Sequence, residues 1–530
     1  MLYREGVRRS RGEEARIGNI LIAKILSECL KPTLGPRGMS KLLVDKFGEM
    51  AVTSDGATIL DKMDVYHPTA KVFKEITKTV EKTVGDGTKT VAILVGELLK
   101  RAEDLIGNKL HVNTIIRGYE MAYEVALRNL RKVSMPVEFE DKELLKRMAA
   151  TMLSTRTVGA ATEHLANLAV EAVQSVAERK NGRVVIYKEN VQIVKQSGKS
   201  LLESELIIGT IVNRRVVHDA MPKSVKNARI AVLDMALKID EFKHLQPMKQ
   251  EIVIRDAPMV RRFLDEEARV VSDMVNKVLS VDANVVFCRK RIGKLAKDLL
   301  AKAGVMAAHR LLKQEDIERV AKATGATMVA DLADLTRSDL GRAALVEERK
   351  IGEEKMIVIE GGEKSRVSSI LLRAGLERQL DETEHALNDT ITSLISLTDC
   401  PSYVPGGGAV EEELAIAVRK EALKYPGKEQ LAMLAAADTL EILPISLAKN
   451  AGFDPIEILA ELRMWHEKGM TNYGINAFTG KVEDVAKIGI IEPLKVKEQV
   501  LKTCIETASM ILRVDNIVDT RYAKRPEKET

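Results

Sequence analysis

The sequence predicts a multidomain α/β protein in which a mainly helical domain is split by an α/β insertion. A chain of 530 residues and 58.6 kDa is too long for a single hydrophobic core. Helical patterns occupy its two flanks, from Ile17 to Leu130 and from about Ser368 to Arg513. Between them, from Val184 to Ala330, strand-like apolar runs alternate with helical stretches, as they do in α/β domains.

Composition and charge argue against several classes of protein. The net charge of +5 is small beside 82 basic and 77 acidic residues, and aromatic residues make up only 3% of the chain. We therefore expect no nucleic acid partner, since stacked bases need aromatic side chains. Apolar runs such as Val91 to Val95 are far shorter than the roughly 18 residues that a membrane span needs. The cysteines are scattered without a CxxC pair, which favours reduced structural thiols in a cytoplasmic protein without membrane contact.

The first helical region has two interruptions that can carry chemistry. A loop with two prolines and two glycines, Thr33 to Gly38, has a fixed backbone and points of close approach. A hairpin is predicted from Leu42 to Asp45 with Ala51 to Thr53, and the carboxylate of Asp55 follows it. Each of these features alone is typical of an ordinary turn.

The segment Gly85-Asp86-Gly87-Thr88-Lys89-Thr90 joins two helical patterns across a glycine hinge. The second pattern begins at once, so the loop opens onto a helix N-terminus whose free amides favour an anion. Asp86 repels a polyphosphate unless a divalent cation lies between them. These residues therefore predict a magnesium-nucleotide site, although a Gly-Asp-Gly interruption between helices is more often a plain turn.

Two parts of the α/β insertion each allow two interpretations. Phe242 to Pro258, with the amphipathic helix that follows as far as Val278, forms either a core-facing helix or a protruding arm that meets other chains. The helix from Ile292 to Ala303 carries three leucines, which are either core residues or part of an exposed binding face.

The second helical region contributes a glycine loop and a carboxylate. Glu411 to Glu413 fill the first helical turn after Pro405 to Ala409 and repel phosphate, so this loop suits a base or a ribose better. Asp389 lies roughly opposite a stripe that includes Leu387 and Ile391, where a solvated carboxylate is the usual occupant. A catalytic group that faces a cleft requires the same off-core position.

Together and in this order, the motifs closely resemble the group II chaperonins, the family of archaeal thermosome subunits and the eukaryotic cytosolic chaperonin. The resemblance runs from Thr33-Leu34-Gly35-Pro36-Arg37-Gly38-Met39 to Asp515-Asn516-Ile517 and so covers nearly the whole chain. Between these ends it rests on Asp55-Gly56-Ala57-Thr58, Gly85-Asp86-Gly87-Thr88, Val346-Glu347-Glu348-Arg349, Ala386-Leu387-Asn388-Asp389 and Pro405-Gly406-Gly407-Gly408-Ala409.

The resemblance implies the chaperonin fold, with a helical equatorial ATPase domain built from residues 1–137 and 393–530. It implies an intermediate hinge domain of residues 138–207 and 358–392, and an α/β apical domain of residues 208–357 with a helical lid protrusion at about 240–278. It also implies a homo- or hetero-oligomeric double ring of like subunits around a chamber for non-native protein clients.

The resemblance further implies roles for particular residues. Asp55 and Asp389 match the catalytic carboxylates that position and activate the attacking water, and Asp86 matches the ligand of Mg²⁺. The residues that resemble contacts to ATP or ADP are Thr33, Leu34, Gly35, Pro36, Gly85, Asp86, Gly87, Thr88, Lys89, Thr90, Arg156, Gly407, Gly408 and Glu492, the last as the ribose contact. Those that resemble the client-binding face are Leu295, Leu299 and Leu300.

Three positions depart from the family's usual pattern. Ser54 stands where Asn usually precedes the aspartate, Lys89 replaces the middle one of three threonines, and Arg156 stands where a lysine commonly senses the terminal phosphate. Arg and Lys differ in geometry, and Ser reaches less far than Asn. The ammonium of Lys89 either reaches the phosphates or points to solvent. These departures bear on nucleotide handling and cycling rate.

The sequence thus predicts an ATP-dependent protein-folding chaperonin subunit, in which Mg-ATP hydrolysis closes a built-in lid over non-native protein. One alternative is a ring or filament scaffold, or a passive holdase, with impaired ATP turnover. Another is an ordinary P-loop kinase or NTPase, which is disfavoured because a Walker A loop needs Gly immediately before Lys, and here Thr88 precedes Lys89.

Overall fold

The computed structural model describes residues 8–44, 48, 50–155, 159–238, 257–362 and 365–519. The chain forms two compact units: unit 1 consists of Met1–Val170 and Asp381–Thr530, and unit 2 consists of Glu171–Leu380. The predicted interruption of a helical region by a central α/β insertion is confirmed. The four finer domain boundaries stay predictions, because the two units do not separate an intermediate from an apical domain.

Helices dominate unit 1 on both sides of the insertion. The elements up to the insertion are β1 (Arg8–Arg11), α1 (Gly12–Leu30), β2 (Lys41–Val44), β3 (Met50–Thr53), α2 (Gly56–Lys62), α3 (Pro68–Val84), α4 (Thr88–Gly107), α5 (Val112–Val133), β4 (Met135–Pro136), α6 (Lys142–Ser154) and α7 (Thr162–Ser175).

Unit 2 alternates strands and helices, as predicted. Its elements are β5 (Glu178–Lys180), β6 (Arg183–Val185), β7 (Val191–Ser197), β8 (Glu205–Ile207), β9 (Gly209–Val212), β10 (Ser224–Leu233), α8 (Ala257–Ser280), β11 (Val285–Cys288), α9 (Lys294–Lys302), β12 (Met306–His309), α10 (Gln314–Thr324), β13 (Met328–Val329), β14 (Gly341–Ile351), β15 (Glu354–Glu360) and β16 (Ser368–Ala374).

The chain then returns to helices. The remaining elements are α11 (Glu377–Ser396), β17 (Ser402–Pro405), α12 (Ala409–Ala422), α13 (Glu429–Leu440), α14 (Ile442–Ala451), α15 (Pro455–Glu467), β18 (Tyr473–Asn476), β19 (Lys481–Asp484), α16 (Val485–Ile488), β20 (Ile491–Pro493), α17 (Leu494–Leu512) and β21 (Asn516–Asp519).

The core of unit 1 forms where α4 and α5 pack against α12, α13 and α17. Apolar residues recur at helical spacing on α4, and Val91, Val95 and Leu98 are all buried there. Both segments of unit 1 contribute to this one core. The helical patterns on either side of the glycine hinge are therefore confirmed as α3 and α4.

One stretch of the described chain, Glu429–Ala451, is long and apolar enough to cross a membrane by length and composition, with a mean hydropathy of 1.6. In the structure it forms α13 and α14, and 61% of its most apolar window is buried inside the fold. A core helix passes the same test of composition. The length of uninterrupted apolar runs did not reveal this stretch, because Asp438 and Glu441 divide it into shorter runs.

Two strand pairs lie at the periphery of unit 1. Strand β2 pairs antiparallel with β3, from Lys41 opposite Thr53 to Val44 opposite Met50, which confirms the predicted hairpin; Asp45 itself lies outside the described residues. Strand β21 pairs antiparallel with β1 and so joins the two segments of unit 1.

The main sheet of unit 2 has the strand order β12-β11-β10-β14-β15-β9, with β13 also paired to β10. Strands β10, β11 and β12 are parallel, and β14, β15 and β9 continue the sheet in antiparallel pairs. The carboxyl ends of β10, β11 and β12 therefore meet at one edge. The strand-like runs predicted near residues 184, 230, 285 and 328 are confirmed as β6, β10, β11 and β13.

The structure bears on only part of the two segments of unit 2 that allowed two interpretations. Val271, Val275 and Val278 are buried in the core of unit 2, so the second half of α8 faces the core. Most of the predicted lid protrusion, residues 239–256, lies outside the described residues. On α9, Leu295 is exposed and Leu299 is partly buried. Leu300 is fully buried, and its assignment to a client-binding face is wrong because it offers no surface.

Candidate nucleotide site

A pocket of about 990 Å³, including its open mouth, lies in unit 1 where three loops from distant parts of the sequence meet. Most residues predicted to contact nucleotide line it: Leu34, Gly35, Pro36, Asp86, Gly87, Lys89, Thr90, Gly407, Gly408 and Glu492. Thr33, Gly85 and Thr88 are buried and are not among the residues that line it, and Arg156 lies outside the described residues.

The phosphate loop, residues 85–90, depends on two glycines in the left-handed region. Gly85 ends α3 with φ of 75°, and Gly87 precedes α4 with φ of 88°. A Cβ on Gly85 would lie 2.2 Å from the carbonyl oxygen of Asp389, so only glycine fits there. No side chain caps the start of α4, which leaves its first amides available to an anionic ligand.

Asp86 lies between these glycines, half-buried in the wall of the pocket. Its Oδ1 accepts a hydrogen bond from the amide of Gly87 at 2.6 Å, which holds the carboxylate at the mouth of the loop. The described part of the chain contains no cluster of three His, Cys, Asp or Glu residues that could hold a metal alone. Mg²⁺ is commonly bound by one carboxylate, water and substrate phosphates, so Asp86 fits this ion together with a nucleotide.

The two predicted catalytic carboxylates are both buried and both lie on segments that contact the phosphate loop. Asp55 is 3% exposed and caps α2, where its Oδ2 accepts a hydrogen bond from the amide of Thr58 at 2.7 Å. Asp389 is 8% exposed on α11, and its backbone packs against Gly85. The expectation that this face of α11 is solvated is therefore wrong. The helix packs on both sides, a feature that a single apolar stripe does not reveal.

Lys89 lies in the wall of the pocket, where its contact with the phosphates of a nucleotide stays a prediction. Its side chain is buried, and its Nζ donates a hydrogen bond to the carbonyl oxygen of Thr33 at 3.0 Å. A Cβ on Gly56 would lie 2.8 Å from Cγ of Lys89, so the Asp55-Gly56 turn packs directly on this side chain. The solvent-facing alternative is wrong. Lys89 instead connects α4, the Thr33 loop and the turn after Asp55 at the wall of the pocket.

Ser54, the second departure from the family's pattern, is also buried beside this wall. Its amide donates to Oε1 of Glu382 at 3.2 Å. Its hydroxyl oxygen has no hydrogen-bond partner in the described part of the chain. A shorter side chain at this position therefore leaves a polar atom unsatisfied, as its limited reach predicts.

The opposite end of the pocket contains a buried ion cluster. Lys497 on α17 lies between two carboxylates, with Nζ 2.7 Å from Oε1 of Glu411 and 2.9 Å from Oε2 of Glu492. Burial opposes the charge of Lys497, but the attraction of Glu411 and Glu492 outweighs it and raises the pKa of the lysine. Burial, followed by the negative charges of Glu411 and Asp86, raises the pKa of Glu492.

Sequence reasoning missed Lys497 and the apolar wall of the pocket. The run Glu411 to Glu413 was the available signal for the lysine, because several carboxylates in one turn of a buried helix need cations nearby. The wall had no local signal, since its residues come from separate elements: Met152, Leu443, Leu447, Ile475, Phe478 and Ile490. An apolar wall beside a carboxylate-lined end suits a base and a ribose.

The sequence profile described as the TCP-1/cpn60 chaperonin family matches residues 26–521 of this chain, which therefore belongs to that family. Its relatives include thermosome subunits of archaea. It is 44% identical to thermosome subunit alpha of Archaeoglobus fulgidus, over 100% of this chain and 96% of the relative. It is 43% identical to thermosome subunit beta of Sulfolobus acidocaldarius, over 100% and 95%. The thermosome subunit of Methanopyrus kandleri is 41% identical, over 98% and 95%.

Proposed function

We propose that this protein is an ATP-dependent protein-folding chaperonin subunit, most like an archaeal thermosome subunit. Hydrolysis of Mg-ATP would close a built-in lid over non-native protein inside a double ring. The observation that supports this best is the contact of the phosphate loop with two buried carboxylate segments, Asp389 at Gly85 and the Asp55 turn at Lys89. Burying a carboxylate costs free energy, so two buried carboxylates beside an anion-binding loop favour a catalytic role for the pair.

Each part of the site has a separate task in this proposal. The amides at the start of α4 and the ammonium of Lys89 bind the phosphates. Asp86 would hold Mg²⁺, which neutralises phosphate charge when it is bound. Asp55 and Asp389 orient a water molecule and accept its proton. Gly407, Gly408 and Glu492 bind the ribose, while the apolar wall holds the base.

Steady-state ATP hydrolysis with Mg²⁺, measured beside the refolding of a chemically denatured protein, tests this function. We expect hydrolysis, and we expect refolding to require ATP. The matched variant Asp389→Ala should lose both activities while it still assembles. Hydrolysis without any ATP-dependent refolding would contradict the chaperone part of the proposal.

A second candidate function is a ring or filament scaffold, or a passive holdase, with impaired ATP turnover. Two departures favour it, namely the buried ammonium of Lys89 in the wall of the site and the unsatisfied hydroxyl of Ser54, which precedes the turn that packs on Lys89. A holdase would suppress the aggregation of a denatured protein equally well with and without ATP. The retained carboxylates Asp55, Asp86 and Asp389 favour the ATP hydrolase.

The remaining parts of the proposal concern assembly and location. We propose a cytoplasmic homo- or hetero-oligomeric double ring whose partners are non-native proteins, with neither nucleic acid nor membrane as a partner. The similarity to thermosome subunits over nearly the whole chain supports this assembly. Negative-stain images of the purified protein with and without ATP test it directly.

A further inference from the structure

A buried histidine on α15 connects two elements beside the nucleotide pocket. The side chain of His466 is completely buried, and each of its ring nitrogens has a hydrogen-bond partner. Its Nδ1 lies 2.9 Å from Oε2 of Glu413 on α12, and its Nε2 lies 2.8 Å from the carbonyl oxygen of Tyr473 on β18. We call these three residues the histidine bridge. They are not among the residues that line the pocket, so they can act on a nucleotide only through their neighbours.

Both partners of the ring are hydrogen-bond acceptors. A backbone carbonyl has no proton to donate, so Nε2 carries the hydrogen of the bond to Tyr473. An ionised carboxylate accepts as well, and a neutral imidazole has only one N–H. The histidine bridge therefore needs one proton more than a neutral ring and an ionised Glu413 supply together. While that proton is bound, both hydrogen bonds form, and its loss breaks one of them.

The histidine bridge holds the glycine loop before α12 from two sides. Tyr473 begins β18, and the amide of Ile475 on the same strand donates to the carbonyl oxygen of Gly407 at 2.8 Å. Glu413 lies on α12, which begins directly after the loop. Ile475 and Gly407 both line the nucleotide pocket. His466 thus connects the strand to which the loop is bonded with the helix into which the loop leads.

Other charged groups lie on the elements packed against α15. Nε of Arg463 on α15 lies 3.8 Å from Oε1 of Glu412, and Arg463 pairs at 2.6 Å with Glu441, which precedes α14. On β19, Glu483 accepts a hydrogen bond from β18, and Asp484 caps α16. Burial, followed by the charge of Glu441, raises the pKa of Glu412 to about 7. A test of the histidine bridge must therefore distinguish it from Glu412, which titrates in the range of an ordinary histidine.

A loop that is fixed before its ligand arrives binds more tightly, because a mobile loop loses conformational freedom on binding. The loop before α12 contains three consecutive glycines and is mobile unless other elements hold it. We propose that His466 is a positioning residue for nucleotide binding. While the histidine bridge holds its extra proton, it keeps the glycine loop and β18 in the geometry that binds the ribose and the base. This inference rests on the proposed function, because it concerns the nucleotide of that site.

Two measurements on the full-length protein test this role. Isothermal titration calorimetry with ADP and excess Mg²⁺, between about pH 6 and about pH 9, measures the affinity of the pocket. The fluorescence of Trp465, without nucleotide, reports on the histidine bridge itself. Trp465 is the only tryptophan of the chain, and its ring stacks on that of Tyr473 with centroids 4.8 Å apart. Movement of β18 relative to α15 therefore changes the surroundings of a single fluorophore.

The variants distinguish a ring that donates to two neighbours from a plain core residue. His466→Gln has one nitrogen where the ring has two and cannot donate to both acceptors. In Glu413→Gln the new amide donates to Nδ1 of a neutral ring, so both bonds form without the extra proton. Glu412→Gln removes the nearby carboxylate. His218→Gln is the matched control, since this partly exposed histidine of unit 2 also lies beside a carboxylate, 3.4 Å from Asp298.

We expect the parent and the His218→Gln control to bind ADP about tenfold more weakly at the upper pH, because a buried hydrogen bond is lost. His466→Gln should bind weakly at every pH, whereas Glu413→Gln should bind tightly at every pH. The fluorescence of Trp465 should change with pH in the parent and in Glu412→Gln, but not in Glu413→Gln. A Glu413→Gln protein that retains the pH dependence of the parent would overturn the inference.

Thermal unfolding of each variant shows whether it folds. If His466→Gln does not fold, the comparison of the parent with Glu413→Gln still decides the question, because that variant retains both contacts of the ring. Parent-like ADP affinity in a folded His466→Gln protein would contradict the inference and leave the proposed function intact. A parent that neither binds ADP nor hydrolyses ATP would contradict the proposed function. A pH-dependent Trp465 signal that Glu413→Gln abolishes would then still support the proton of the histidine bridge.

Discussion

At the scale of single residues, Lys89 shows how one substitution within a motif changes a site. A threonine at this position could not reach the carbonyl oxygen of Thr33, to which Nζ of Lys89 donates. The chain thereby places a fixed positive charge in the wall of the pocket. Such a charge attracts the phosphates of substrate and product alike, so it strengthens binding more than it accelerates chemistry.

Replacing Lys89 by Met removes the charge and keeps most of the volume. We expect ADP affinity to fall by about tenfold or more, because a buried positive charge near the phosphates is lost. Isothermal titration calorimetry measures this. Lys82→Met, which removes an exposed lysine from α3, is the matched control. If both variants bind ADP as tightly as the parent does, Lys89 does not bind the phosphates.

Asp389 and Asp86 should differ in what their loss affects. Asp389→Ala should leave ATP binding nearly intact and lower turnover by about 10²–10⁴-fold, as the loss of a general base does. Asp86→Ala should weaken ATP binding as well, because phosphate charge is then poorly compensated. Equilibrium ATP binding and single-turnover hydrolysis measure both quantities. An Asp389→Ala protein that hydrolyses ATP at the parent rate would refute its catalytic role.

Glu412 on α12 should make stability depend on pH. It is fully buried, and neither carboxylate oxygen has a hydrogen-bond partner among the described residues. Burial, followed by the charge of Glu441, raises its pKa from 4.5 to about 7. The folded state therefore holds the proton more tightly than the unfolded state does. The contribution of this group to stability is largest below pH 4.5 and declines as the pH rises through about 7.

Replacement of Glu412 by Met removes this dependence. We expect the thermal midpoint to rise by a few degrees at about pH 8 and to change little at about pH 5. Differential scanning calorimetry at both values measures the difference. Glu421→Gln on the same helix is the control, because pairing with Lys424 lowers the pKa of Glu421. The contribution of Glu421 to stability therefore changes with pH in the opposite direction. A Glu412→Met protein whose thermal midpoint does not rise at about pH 8 would contradict the raised pKa of Glu412.

The residues of the site that could be predicted from the sequence are those in glycine loops. Gly85, Gly87, Gly407 and Gly408 adopt positive φ angles, and such backbone leaves a readable pattern of residue types. Lys497 could not be predicted, because its role arises from meeting Glu411 and Glu492 across three elements. Long-range pairing of this kind leaves no local periodicity.

At the scale of elements, the hairpin β2–β3 is notable for its exposed apolar residues. Leu42, Val44, Met50 and Val52 are all exposed, although such residues usually cover a core or an interface. The resemblance to the group II chaperonins implies that the strands at the chain ends pair with the hairpin of a neighbouring subunit. Strand β21, already paired with β1, extends the surface on which a neighbour's hairpin could add.

Truncation after Val514 removes β21 and should therefore prevent ring assembly. We expect the truncated protein to elute as a monomer in size-exclusion chromatography, since the added strand is then missing. Truncation after Asp519 keeps β21 and should assemble like the parent. Intact rings from the shorter protein would sink this expectation.

The sequence predicted the positions of helices that have one apolar face. It did not predict what that face packs against. The periodicity of α8 gave its position, but its sequence fitted a protruding arm as well as a core helix. The burial of Val271, Val275 and Val278 in the core of unit 2 shows which way the second half of the helix faces, and the sequence pattern did not. Likewise Leu295 and Leu300 share one helix, yet one is exposed and the other fully buried. The burial of a side chain depends on which elements pack against the helix, and helical periodicity does not identify those elements.

At the scale of the whole molecule, the two units differ in how their cores are built. The core of unit 2 comes from one continuous segment, whereas the core of unit 1 needs both of its segments. We expect the fragment Glu171–Leu380 to unfold cooperatively on its own in urea, and the fragment Met1–Val170 not to do so. Circular dichroism during urea titration measures both. A gradual, non-cooperative transition of the longer fragment would contradict the division.

The pairing of β1 with β21 has a consequence for biosynthesis. As the nascent chain leaves the ribosome, β1, α4 and α5 emerge early, but α17 and β21 emerge only after the whole of unit 2. During that interval the apolar faces of α4 and α5 lack the helix that later covers them. The polypeptide is then prone to aggregate, as incomplete domains generally are. A protein that we propose to fold others is thus itself in need of protection while it is being translated.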